Sequence, residues 1–437
     1  MENTVKVELK DEQKEEKVST EVKEQKMRIA VIGVGAAGLV AIKHCIQDGH
    51  DCEAYEQTEF VGGTWNYTDE VGFDKNGLPI HTSMYKHLRT NLPKELMMFE
   101  DFPYPEDLKH SYISQEDVLQ YLNHYADEMD LRKYIRFLTQ VTHVEPMDDN
   151  KWHIEVQDVI TKKKESKTVD AVICCNGKYS VPFMPHIPGL DSFTGTCIHS
   201  HCYRSEEPYK GRTVLIIGGG PSGIDICNHL SAVANKVYCS LKNVRIGFKF
   251  PEKAIMKPVV RNVEGGKIIF EDGTAENGIN DILLCTGYNL SFPFLAPTCG
   301  ITIEDNYIPS LYKELINAHH PTMAFLWIPA SICPIPTSEI QMRFFLATLS
   351  GRFILPSKEE MLKDAEEYRK KRDVKNRLVH DKASGNLERE YFDDLAETAN
   401  VRGVPSVITD LHNCVKKCRN YSYCFKILDD ENFLQIA

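Results

Sequence analysis

Twice along the chain the same succession of apolar and polar positions appears. A largely apolar run, Met27 to Ile32, with Arg28 its one charged residue, is interrupted by glycines and followed by apolar residues at helical spacing. The succession recurs from Thr213 to Ile217 onward. Each run reads as a buried strand and each glycine-rich break as a strand-to-helix loop. A second strand closes each unit: Asp51 to Tyr55 in the first, Lys236 to Cys239 in the second. Two βαβ units follow from this pattern. Lys151 to Val156, Val169 to Cys175 and Asp281 to Cys285 read as further strands. Ser114 to Met129 and Glu339 to Leu349 have the spacing of helices.

The expected fold class is α/β, with two Rossmann-like dinucleotide-binding domains. Residues 27–180 form the first part of one domain. Residues 181–289 form a second domain with its linkers, punctuated by Pro182, Pro185 and Pro188. Residues 290–437 have no strand series of their own and are expected to complete the first domain, with some C-terminal helices. The second domain is then an insertion in the first. Residues 1–26 are rich in Lys and Glu and read as a disordered charged leader.

The two breaks carry chemistry. The first is Gly33-Val-Gly35-Ala36-Ala37-Gly38, the second Gly218-Gly-Gly220-Pro221-Ser222-Gly223. In such a loop the first glycine permits a tight turn and the second lets backbone approach a pyrophosphate. The third allows the helix to pack close to the strand. The phosphates then sit at the positive end of the helix. The units differ where their second strands end. In the first, Glu56 can accept hydrogen bonds from a ribose 2′-OH and would repel a 2′-phosphate, which suits FAD or NAD. In the second, Ser240 and Lys242, with Arg245 near, suit the 2′-phosphate of NADP. Two nicotinamide nucleotides, or one flavin and one NADP, both fit this pair. The Gly62-Gly63-Thr-Trp65 turn bears on the choice, because paired glycines and an indole can lie against a planar ligand.

Composition narrows the function. A net charge of -12 argues against general nucleic-acid binding. No apolar run reaches the roughly 18–20 residues of a membrane span, and the N-terminus has no export signal. The 14 cysteines are then expected as free thiols in a reducing, cytoplasmic setting. Cys174, Cys175, Cys239 and Cys285 lie in strand-like runs as small core residues. His412, Cys414, Cys418 and Cys424 cluster in sequence but fit no standard zinc spacing, and no metal is expected.

The segment between the loops is Phe193-x-Gly195-x-x-x-His199-x-x-x-Tyr203-Arg204. It resembles the identifying motif of class B flavin-dependent monooxygenases. Its Tyr203 is similar to the flavin-containing monooxygenases proper, whereas Baeyer–Villiger relatives usually have Trp there. Thr90-Asn91-Leu-Pro93-Lys94-Glu95, Gly247-Phe-Lys-Phe-Pro251-Glu252, Cys285-Thr286-Gly287-Tyr288 and His320-Pro321-Thr322-Met323 also resemble family segments. The likeness is to the shorter insect-type members, among them pyrrolizidine alkaloid N-oxygenases.

The resemblance implies FAD in the first domain and NADPH in the inserted one. It implies that the reduced flavin takes up molecular oxygen as a 4a-hydroperoxide, which oxygenates an amine nitrogen or a sulfide sulfur of a small molecule. Asn91 is then the catalytic position. Thr90, Val141, Gly63, Trp65 and Gln341 join Gly33, Gly35, Ala36, Ala37, Gly38 and Glu56 at the flavin. Gly218, Gly220, Pro221, Ser222, Gly223, Ser240 and Lys242 serve NADP. Phe193, Gly195, His199, Tyr203 and Arg204 couple the domains. Two residues depart from the family: Trp327 stands where a glycine is frequent, and Lys242 replaces the more usual Arg. Ketone oxygenation and, more remotely, a flavin disulfide reductase or an inactive flavin-binding protein are the competing readings. Nothing in the sequence selects a monomer over a homo-oligomer.

Overall fold

The protein is described from a computed structural model, which places residues 26–242, 251–329, 332–378, 387–417 and 420–436. Residues 1–25 of the charged leader, Arg245, Gly247–Phe250 of the resemblance and Cys418 lie outside the described residues.

In the first unit, β1 (Arg28–Ile32) leads through the glycine loop into α1 (Ala36–Gln47) and returns as β2 (Asp51–Tyr55). The next elements are α2 (Gln115–Glu128), β3 (Ile135–Arg136) and β4 (Ala171–Cys174). Helix α2 begins where its sequence stops it from beginning earlier. The Ser114 side chain accepts the Asp117 N–H, and Asp117 accepts the Ser114 N–H, which closes a capping box. A three-stranded antiparallel sheet (Thr139–Pro146, Trp152–Asp158, Lys164–Val169) covers one side.

The chain then builds a second sheet from β5 (Thr196–His199), β6 (Thr213–Ile217), α3 (Pro221–Val233), β7 (Lys236–Ser240), β8 (Ala254–Lys257) and β9 (Asp281–Leu284). Its order is β8-β7-β6-β9-β5, and every pair is parallel. Only afterwards does β10 (Met323–Phe325) add to the first sheet beside β4, giving the parallel series β10-β4-β1-β2-β3. The first sheet is therefore interrupted in sequence by the second, as expected from the lack of a separate strand series in residues 290–437. Four helices follow: α4 (Pro334–Leu349), α5 (Lys358–Leu378), α6 (Leu387–Ala399) and α7 (Ser406–Lys417).

The period-2 alternation of the strands divides the first core in two. Ile29 and Val31 of β1 face the helices, with Leu39 of α1 and Phe344 of α4. Ala30 and Ile32 face the other side, with Trp152 of the antiparallel sheet and Phe325. Helix α4 starts at Pro334, five residues before the expected Glu339. Pro334 and Pro336 sit in its first turn, where the N–H groups that proline lacks would have no helical partner anyway. Among the described residues no helix is long and apolar enough to cross a membrane.

Candidate active site

The glycine loops are built alike, atom for atom. Gly33 has φ +94°, and a Cβ there would stand 2.6 Å from the Cys175 carbonyl oxygen. Gly218 has φ +114°, and its Cβ would stand 2.3 Å from the Cys285 carbonyl oxygen. In both units the third glycine abuts the first: a Cβ at Gly38 would come 2.0 Å from the Gly33 carbonyl oxygen, and one at Gly223 2.1 Å from that of Gly218. A side chain at any of the four would push the helix off its strand. The middle glycines, Gly35 and Gly220, are the N-caps of α1 and α3, and no side chain caps either helix. The first-turn N–H groups are left for an anion. A Cβ at Gly220 would meet nothing within 4 Å, so there is room beside that backbone for a ligand.

Both loops open onto one cavity of about 2640 Å³. Gly33, Gly35, Ala36 and Ala37 line it from the first unit, and Gly218, Gly220, Pro221 and Ser222 from the second. Gly38 and Gly223 do not reach it; they are the packing glycines. Glu56, at the end of β2, lines the cavity and is nearly buried. One carboxylate oxygen accepts the Val34 N–H at 3.1 Å, the other the Thr58 N–H and hydroxyl at 2.9 Å each. Burial pushes its carboxyl up, against these hydrogen bonds. The Gly63–Trp65 turn lies against the first loop, with a Cβ at Gly63 only 3.1 Å from the Gly35 Cα, and Trp65 lines the cavity.

Asn91 stands exposed on the cavity wall. Its neighbour Thr90 is buried and doubly tied to Ile113: Thr90 N–H donates to the Ile113 carbonyl at 2.9 Å, and Ile113 N–H to the Thr90 hydroxyl at 3.2 Å. That pair fixes the backbone from which Asn91 projects. Val141, buried in the antiparallel sheet, also borders the cavity.

Two expected contacts are corrected. Gln341 does not line the cavity. It is fully buried on α4, where its carbonyl accepts the Trp327 N–H at 2.8 Å and its amide donates to the Tyr391 hydroxyl at 2.8 Å. Ser240 is also turned inward: its hydroxyl donates to the Pro258 carbonyl at 2.8 Å and accepts the Val260 N–H at 3.1 Å. Its strand joins β8, and the hydroxyl is consumed at that junction. Lys242 is exposed just past β7 and outside the cavity lining.

The linker motif proves to be architecture. A Cβ at Gly195 would stand 2.2 Å from the Asn280 carbonyl oxygen and 2.7 Å from the Phe193 ring. His199 is buried, its Nδ1 accepts the His201 N–H at 3.0 Å, and burial pushes its pKa down to about 4. With Nδ1 accepting, the proton of the neutral ring sits on Nε2. Tyr203 is fully buried edge-on to Tyr85, whose hydroxyl donates to Asp225 of α3 at 2.6 Å. Arg204 donates to the carbonyls of Glu70, His201 and Tyr203, and so staples the linker to the segment that carries the cavity wall.

Sequence reading gave no role to Lys178 and Tyr179, which followed an assumed strand end. Both line the cavity with Trp327. The Lys178 ammonium lies 4.4 Å from the centre of a Trp327 ring, and the Tyr179 ring packs edge-on against Trp327 at 5.7 Å. Trp327 has φ +57°, a left-handed backbone where glycine is at ease. The glycine-type conformation is thus kept while an indole is added to the wall. The Cys174-Cys175 pair is excluded as a redox couple: the two thiols face opposite cores of one sheet, and burial pushes both up.

Paired dinucleotide loops open onto one cavity with an aromatic wall and, among the described residues, no redox dithiol, an arrangement that suits an oxidoreductase holding two nucleotides. The sequence matches the FMO-like family, "flavin-binding monooxygenase-like", over residues 26–246 and 250–418. It is 36% identical over 392 residues to flavin-containing monooxygenase FMO GS-OX5 of Arabidopsis thaliana, covering 85% of this chain and 84% of that one. It is 31% identical over 422 residues to senecionine N-oxygenase of Tyria jacobaeae, covering 93% and 91%. The structure of S-allyl-L-cysteine S-oxygenase from Allium sativum superimposes with a TM-score of 0.81 at 31% identity, covering 90% of this chain and 93% of that one. The chain belongs to the flavin-binding monooxygenase-like family, and it is an oxidoreductase that uses a flavin.

Proposed function

We propose that the chain takes electrons from NADPH and uses molecular oxygen to oxygenate a soft nucleophilic nitrogen or sulfur atom of a small molecule. One observation carries the reading: both glycine loops open onto the cavity on whose wall Asn91 stands. The N- and S-oxygenases among the relatives support nitrogen or sulfur over a ketone carbonyl. Tertiary amines and thioethers are the substrates this chemistry favours.

The residues fit a flavin dinucleotide at the first loop. Glu56 keeps one unused acceptor position for a ribose 2′-OH, since a carboxylate has about four and Val34 and Thr58 take three. The α1 N-terminus receives the pyrophosphate, and Trp65 and Val141 give apolar contact. At the second loop Gly220, Pro221 and Ser222 receive the NADPH pyrophosphate. With Ser240 turned inward, Lys242 is left as the cation for the 2′-phosphate, as a point charge rather than a fork.

Bound flavin supplies the activation of oxygen and its delivery to the substrate. The chain's part is to position and to keep water out. Asn91 offers a neutral amide that donates and accepts without adding charge beside the reacting atoms. Trp327 and Tyr179 present ring surface that excludes water from their part of the wall. The test is to purify the protein, record its visible spectrum and compare NADPH with NADH as electron donor for a tertiary amine, a thioether and a ketone. A yellow protein that consumes NADPH faster than NADH, and yields N- or S-oxide, is the expected result. A colourless protein, equal use of NADH, or product from the ketone alone contradicts it.

A further inference from the structure

Behind the cavity, three helices meet at a cluster outside the chemistry above. Cys333 immediately precedes α4, Glu388 lies in the first turn of α6, and His412 lies on α7. All three are buried, and their ligand atoms lie within 4.8 Å of one another. The His412 Nδ1 is 3.4 Å from the Cys333 Sγ and 2.5 Å from one Glu388 carboxylate oxygen. The other carboxylate oxygen accepts the Cys333 N–H at 2.6 Å, which aims Glu388 at the cluster.

Both Glu388 and the thiol approach the same ring nitrogen, which can serve only one of them by hydrogen bonding. With Nδ1 given to Glu388, the thiol is left to the same carboxylate. The shared nitrogen also rules out a relay in which the imidazole passes a proton from sulfur to carboxylate, since that needs both ring nitrogens. The Cys333 side chain makes no cap for α4, so capping does not explain it.

We propose that Cys333, Glu388 and His412 bind a zinc-class divalent cation. One thiolate, one imidazole and one carboxylate form a donor set that zinc accepts in tetrahedral geometry. Zinc–sulfur and zinc–nitrogen bonds of about 2.3 and 2.0 Å place tetrahedral ligand atoms roughly 3.5 Å apart, close to the sulfur–nitrogen separation here. The carboxylate would withdraw by less than ~1 Å as the ion enters. Binding releases the Cys333 thiol proton to solvent and uses neutral His412. Once the thiol proton has left, the thiolate and carboxylate outweigh Lys416, one turn beyond His412, and leave the site net negative toward the ion. Glu388 and His412 border the cavity, from which water can supply a fourth ligand. The ion ties the N-termini of α4 and α6 to α7. Helix α4 carries Gln341, which holds the Trp327 backbone, and α6 carries Tyr391, which accepts from the Gln341 amide. The short-range spacing of His412 with Cys414 and Cys424 misses this set because its ligands come from three separate helices.

The test is elemental analysis of the flavin-loaded full chain, produced without a polyhistidine tag in zinc-supplemented medium. About one zinc per chain is expected, falling to background in Cys333→Ser and in His412→Ala while Cys414→Ser retains it. Cobalt chloride added to chelator-treated protein should give a thiolate-to-metal absorption in the wild type and none in Cys333→Ser. Should the variants fail to fold, zinc chloride added to chelator-treated wild type must still raise its melting temperature. Wild type with no bound zinc, no cobalt absorption and no such rise overturns the proposal. So does zinc that persists in both variants.

Discussion

Gln341 accepts the backbone N–H of Trp327 at 2.8 Å, so a side chain with no solvent exposure holds a cavity residue in a left-handed backbone conformation. Gln341→Leu leaves that N–H without its acceptor. The expected loss is about 1–3 kcal/mol of unfolding free energy. Gln341→Glu keeps an acceptor and should lose less. Urea unfolding of the two variants measures the difference; Gln341→Leu as stable as wild type would show that the bond does not hold Trp327.

The matching glycines separate the two nucleotide sites. At Gly33 and Gly218 positive φ and a carbonyl oxygen under 3 Å from a Cβ both oppose a side chain. Gly33→Ala should purify without flavin. Gly218→Ala should keep its flavin spectrum but be reduced by NADPH at least ~10-fold more slowly at a fixed concentration, an effect of roughly 1.4 kcal/mol. Anaerobic reduction followed in the visible spectrum checks both. Loss of flavin from Gly218→Ala alone would reverse the assignment of the loops.

Much of this was legible in the chain. The βαβ units follow from apolar runs broken by GxGxxG, because strand, turn and helix are all local. The insertion was legible too, since residues 290–437 have too few strands for a sheet of their own, and β10 joins β4. What was not legible depends on direction. Ser240 follows strand alternation inward to bond Pro258 and Val260, a partner choice fixed by β8 and not by the motif. Gln341 lies on a helix whose buried face cannot be told from a cavity face by spacing alone. Lys178 and Tyr179 acquire a role only because Trp327 is brought to them by β10.

Asn91 separates binding from chemistry. Its anchoring lies in the backbone of Thr90, so truncating the Asn91 side chain leaves the wall in place. Asn91→Ala should retain flavin and still oxidise NADPH, while product per NADPH falls at least ~10-fold. Simultaneous assay of NADPH loss and oxide formation reads the split. Undiminished product removes Asn91 from the mechanism.

His199 gives a pH dependence of known sign. Burial lowers its pKa from 6.5 to about 4 in the folded protein. Between those values the unfolded chain binds a proton that the folded chain excludes. Its contribution to stability is therefore full above about pH 6.5 and declines as the pH falls toward 4. Urea midpoints measured across that window should fall more steeply for wild type than for His199→Gln. Parallel profiles would mean that His199 is not held neutral.

The most direct measurement of the central claim is the origin of the oxygen atom in the product. Purified, flavin-loaded protein is supplied with NADPH and a tertiary amine or a thioether under ¹⁸O-labelled dioxygen in ordinary water, and the oxide is analysed by mass spectrometry. The account predicts one labelled oxygen per oxide formed and no product without NADPH. Oxide that carries unlabelled oxygen, or NADPH oxidation that yields only hydrogen peroxide with either substrate, contradicts it.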